Sequence, residues 1–107
     1  MYPIKTTKLY NPNNLGASTD VYSTVYLGNY VLGDYEEEAG SHPGVDIVPM
    51  IPNDTVFAVL NGLVIVARNN SSEGNYVVIE HKSVAYQGTI GTYYSCYLHL
   101  NSLSITE

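Results

Sequence analysis

The chain has 107 residues, of which 4 are Lys or Arg and 10 are Asp or Glu, for a formal net charge of −6. That length holds one domain and excludes a doubly wound nucleotide fold or an eight-fold barrel. Its four cations, Lys5, Lys8, Arg68 and Lys82, are too scattered for the basic patch that nucleic-acid binding needs, and the single Cys96 excludes an internal disulfide or a paired-cysteine zinc knuckle.

No run approaches the ~20 apolar residues of a membrane-spanning helix, so neither a nucleic acid nor a membrane is expected as partner. The opening MYPIKTTKLY also lacks the apolar stretch of a signal peptide. Residues 1–20, with Pro3, Asn11-Pro12-Asn13-Asn14 and Gly16, have no apolar period and read as an irregular arm ahead of a domain over 21–107. From Val21 to Leu32 strand formers return around Gly28-Asn29, as two short strands and a turn. Asp34 to Ser41 reads as an acidic loop, with Glu36, Glu37 and Glu38 a solvated surface run.

TVFAVL and LVIVAR flank Asn61-Gly62, a dipeptide suited to a tight turn, which predicts a β-hairpin over Thr55 to Arg68. After a turn at Ser71 to Asn75, YVVIEH places Tyr76, Val78 and Glu80 on one face and Val77, Ile79 and His81 on the other. Gly88 and Gly91 bracket another turn, and TYYSCYLHL, rich in strand formers, is a strand that ends at His99. No helical period spans ten residues. The fold class is all-β, an antiparallel sheet protein of six or seven short strands.

Chemistry points first to SHPGVDI, where His42 and Asp46 lie four apart around Pro43-Gly44. In a straight strand that spacing covers ~13 Å, too far for one metal whose ligands sit at roughly 2 Å. A helix would bring them to one face, but interior Pro and Gly oppose it by ~3 and ~1 kcal/mol. A bend remains, in which Pro43 fixes φ and Gly44 permits a close turn, and such a bend can set an imidazole and a carboxylate on one ion. The plainer alternative makes His42 a loop cap and Asp46 a surface acid. His81 and His99, each of which ends an expected strand, have the same plain alternative. Taken together, the three histidines sit where a sheet protein gathers ligands at one mouth of its fold.

The ordered set HPGVDI, VFAVLNGLVIVARNNSSEGNYVVIEH and YLHL, running from His42 to Leu100, resembles the zinc endopeptidases of the lysostaphin and LytM type, which cut peptide cross-links in bacterial cell walls. That resemblance implies a small antiparallel domain of the duplicated hybrid motif type. It makes His42 and Asp46 zinc ligands and His99 a catalytic histidine beside the metal. His81 matches a position often held by His, without an assigned role. Tyr30, in YVLG, resembles an upstream tyrosine that stabilises the oxyanion in some members. The implied partner is the peptide of bacterial peptidoglycan, and the implied location is extracellular, at a bacterial cell wall or associated with a phage.

The departure from that family is equally specific. Its members continue to a His-x-His pair whose second histidine is the third zinc ligand, whereas this sequence ends at Glu107 without one. A catalytic zinc ordinarily has three protein ligands and one open position. A cut chain, a split domain completed by a second chain or C-terminal fragment, and a degenerate domain each account for this, the first two preferred because both early ligands remain. A fragment is also expected to expose an unpaired strand edge. The rival function is a non-catalytic module of the same fold that binds cell-wall polymer or activates a partner hydrolase. A tyrosine-faced carbohydrate-binding sandwich, suggested by 11 Tyr and no Trp, leaves His42 and Asp46 unexplained.

Overall fold

A computed structural model describes residues 3–4, 21–32, 34–38, 40–49, 51 and 53–107. Among them there is no helix, and seven strands form three small antiparallel sheets. The chain divides into two units, one of Ile4–Asp54 and one of Thr55–Glu107 together with Met1–Pro3. The arm expected over residues 1–20 lies outside the described residues except for Pro3 and Ile4.

In the unit Ile4–Asp54, β1 (Tyr22–Thr24) pairs with β4 (Asp46–Ile47), and β2 (Val31–Leu32) with β3 (Tyr35–Glu36). Ile4, Val21 and Tyr22 are buried together with Ile47 packed against them, so an isoleucine of the expected arm belongs to a core. The two strands expected in Val21–Leu32 exist, but they pair elsewhere and the turn falls earlier than Gly28-Asn29. Gly28 donates its amide to the Val25 carbonyl at 2.9 Å, with Leu27 at φ 57°. The acidic segment is likewise not all solvated loop. Tyr35 and Glu36 form β3, and Glu37 is half-buried.

The other unit is a three-stranded meander of β5 (Leu63–Asn70), β6 (Gly74–Tyr86) and β7 (Thr89–Leu100). The alternation expected in β6 is present: Val77, Ile79 and His81 are buried, the residues between them only partly. Its turn from β5 is built by Asn70, whose Oδ1 accepts the amides of Ser72 (3.0 Å) and Glu73 (2.7 Å), with Gly74 at φ 66°.

The hairpin expected over Thr55 to Arg68 does not form. Residues 54–58 are not strand, and neither Asn61 nor Gly62 has a positive φ. The backbone donors of this segment go to partners outside any ladder: Phe57 to the Pro3 carbonyl (2.6 Å) and Val59 to the Tyr97 hydroxyl (2.9 Å). Gly62 serves close packing instead. A Cβ there would press on the Glu80 carbonyl oxygen and lie 2.6 Å from Ile79 Cγ2 and 2.7 Å from His81 Nδ1. The later turn is also tighter than expected. Gln87 and Gly88, at φ 48° and 77°, make the two-residue connection from β6 to β7, and Gly91 lies inside β7 opposite Val84.

Candidate functional site

The bend at Pro43-Gly44 does bring His42 and Asp46 together. Asp46 is held by the β1–β4 ladder, opposite the buried Thr24, and the neighbouring Val48 amide donates to the Val21 carbonyl at 2.7 Å. His42 is fixed through its backbone, its carbonyl accepting the Leu27 amide at 2.8 Å from the turn after β1. Between these anchors His42 Nε2 lies 3.3 Å from Asp46 Oδ1. The imidazole is buried while the carboxylate stays partly open to solvent.

The other ring nitrogen determines what that contact means. His42 Nδ1 lies 2.9 Å from the Gly44 carbonyl oxygen, an acceptor only, so Nδ1 carries the proton. In the neutral ring Nε2 then presents a lone pair to a carboxylate oxygen. Two acceptors at that distance repel unless a proton or a metal cation lies between them. A carbonyl that fixes the tautomer of a ligating histidine is the usual outer-shell partner of zinc. The donor set therefore fits two ligands of a zinc site. An imidazolium–carboxylate ion pair satisfies the same geometry without metal.

Tyr30 packs on this pair, its ring stacked on His42 at 5.8 Å between centroids and 16° between planes. Tyr35 meets Tyr30 edge-on at 6.0 Å. The sequence singled out Tyr30 but not its stacking on His42. It also missed the Gly44 carbonyl, although a histidine two residues before a glycine bend carries that signal.

His81 and His99 belong to the meander. His81 is buried at 2% exposure, and both ring nitrogens are engaged: Nδ1 with the Asn61 carbonyl at 2.9 Å and Nε2 with the Ser95 hydroxyl at 2.8 Å. It is a satisfied core histidine of its own unit. His99 is exposed, at φ 58°, in an irregularity of the β6–β7 ladder, and its amide donates to the Glu73 carbonyl at 2.9 Å. Such bulges re-aim a side chain relative to a regular strand. Among the described residues no three His, Cys, Asp or Glu side chains are grouped so as to hold one metal ion. Among the described residues, the set that His42 begins holds two donors.

The family model described as Peptidase family M23 matches residues 40–107, a span that contains His42, Asp46, His81 and His99. No curated protein and no solved structure matches the chain.

Proposed function

The chain belongs to Peptidase family M23, in keeping with its resemblance to LytM-type domains, and from that premise we propose that it carries the metal-binding part of a zinc endopeptidase acting on peptide cross-links of bacterial peptidoglycan. The observation that carries the proposal is the placement of the His42 ring, with Nδ1 2.9 Å from the Gly44 carbonyl oxygen and Nε2 3.3 Å from Asp46 Oδ1. Peptidases of this family are generally zinc-dependent. Bound zinc supplies Lewis acidity towards the scissile carbonyl and lowers the pKa of its water.

His42, Asp46, Gly44, Tyr30 and His99 have parts consistent with that chemistry. His42 and Asp46 hold the metal, and the Gly44 carbonyl keeps the His42 ring in the ligating tautomer. Tyr30 buttresses the same ring. The family resemblance assigns His99 the proton-handling and charge-stabilising role, for which its exposed imidazole is suited. His81 is left to the core. The described residues supply two donors there, and a third protein ligand from a complementing C-terminal fragment or second chain would complete the site. The protein works outside the cell, at the bacterial wall or with a phage.

A second reading has one observation in its favour. The ion-pair form of His42 and Asp46 needs no metal and suits a non-catalytic module that binds wall polymer or activates a partner hydrolase. Digestion of purified peptidoglycan with added zinc separates the two. The chain alone is expected to release almost no new amino groups, and a complemented chain to release them until a chelator is added. Failure of every complemented form to digest wall material favours the binding module. Robust zinc-dependent cleavage by the 107 residues alone contradicts the requirement for a third ligand.

A further inference from the structure

The hairpin of β2 and β3 sets further groups beside the His42–Asp46 pair. Val31 lies opposite Glu36 and Leu32 opposite Tyr35, and the pairing runs one step further where the Glu37 amide donates to the Tyr30 carbonyl at 3.1 Å. Residues opposite one another in an antiparallel pair share a face, as do their diagonal neighbours two positions on. Tyr30, Tyr35 and Glu37 therefore stand on one face of the hairpin, and on that face Tyr30 stacks against His42. One atom of this set is unexplained. Glu37 Oε2 is buried and has no hydrogen-bond partner among the described residues.

A carboxylate oxygen withdrawn from water without a donor is strongly disfavoured unless a ligand supplies one. Among the described residues of this unit there is no Lys or Arg to supply that donor. Asp34, Glu36 and Glu38 flank Glu37 and add negative potential, which favours a positively charged donor over a neutral amide. Tyr35, 58% exposed and edge-on to Tyr30, offers a ring face within the same set.

Resting on the peptide-binding reading of the His42–Asp46 site, we infer that Glu37 is a substrate-positioning residue whose carboxylate accepts a primary ammonium group of the bound peptide. Tyr35 lines the path of the methylene stem that carries this ammonium.

The test uses the full chain in a chelator, without zinc, titrated by NMR with Gly-Gly-Lys-Gly-Gly blocked at both ends and with the same peptide acetylated on its lysine. The wild type is expected to bind the ammonium form about ten-fold more tightly, the size of one charge-assisted hydrogen bond. The shifts should centre on the Tyr30 and Tyr35 ring signals. Glu37→Gln, which keeps the side-chain shape, should lose the preference, and Glu36→Gln should keep it within about two-fold. Three results overturn the inference: no binding, equal binding of both peptides by the wild type, or a preference that survives in Glu37→Gln. Equal losses in Glu36→Gln and Glu37→Gln overturn it too, since they report only the general acidic field. Because zinc is absent, each of these outcomes is separate from whether His42 and Asp46 take up metal.

Discussion

The Ser95 hydroxyl and the Asn61 carbonyl occupy the two nitrogens of His81, so this histidine has no free lone pair for a metal. Replacing Ser95 by alanine leaves a buried ring acceptor without its donor and is predicted to destabilise the fold by ~1–3 kcal/mol in urea unfolding. Zinc affinity should not change; a loss of zinc binding in Ser95→Ala would mean that His81 is a ligand after all. Gly62 makes a comparable prediction. Its missing Cβ is what allows the chain to approach Glu80 and His81, so Gly62→Ala should cost ~1–3 kcal/mol although its φ is ordinary. At this scale the sequence is informative about His42 and Asp46, because a Pro-Gly pair between them leaves only a bend. It is silent about Gly62, where the turn-forming dipeptide signal is real but the glycine serves packing against β6.

A further residue pair gives a pH dependence with a definite sign. Arg68 grips Glu107 through Nε (2.6 Å) and Nη2 (3.0 Å), and the Ala67 amide also donates to the Glu107 carboxylate. These bonds hold the Glu107 carboxyl below its usual range, the Arg68 hydrogen bond contributing most. A carboxylate depressed in the folded state stabilises the fold above its unfolded pKa, and that contribution is lost as the pH falls through the folded value. The melting-temperature difference between wild type and Glu107→Gln should therefore be present near neutral pH and close below pH 4.5, the ordinary carboxyl value. Both groups are exposed, so it should be small and shrink with salt.

At the scale of elements, the meander's two turns have separate causes. Asn70 closes the first with its side chain, whereas the second needs positive φ at Gln87 and Gly88. Gly88→Ala should accordingly cost about 1 kcal/mol, read from the urea midpoint. The strands of this sheet were legible in the sequence because β-branched and aromatic residues alternate along them. The Thr55–Leu60 segment carries the same residue types without becoming a strand, since Pro3 and the Tyr97 hydroxyl take its amides. Pattern alone does not reveal such distant partners.

β7 has a consequence of its own. Its twelve residues include no Lys, Arg, Asp, Glu or Pro, and among the described residues it pairs only with β6. An edge without charges or proline is a template for another strand. The chain should associate with rising concentration in light scattering, and Thr92→Lys, at an exposed position of β7, should reduce that association. A wild-type chain monomeric at every concentration contradicts this.

At the scale of the whole molecule, membership of Peptidase family M23 and the two-donor site stand together. The family match spans all three histidines, while the structure gives them different surroundings. His42 sets Nε2 3.3 Å from a carboxylate oxygen, His81 is engaged in the core at both ring nitrogens, and His99 is exposed at a bulge. The sequence could place them in order but not show their surroundings, because these depend on which backbone carbonyl or hydroxyl each ring meets. The proposed function depends above all on His42 and Asp46 holding zinc. Calorimetric titration of the purified chain with zinc tests it most directly. Weak binding of one zinc per chain is expected, abolished in His42→Ala and in Asp46→Ala and retained in Ser95→Ala. No zinc binding by the wild type, or binding that survives both ligand substitutions, would contradict it.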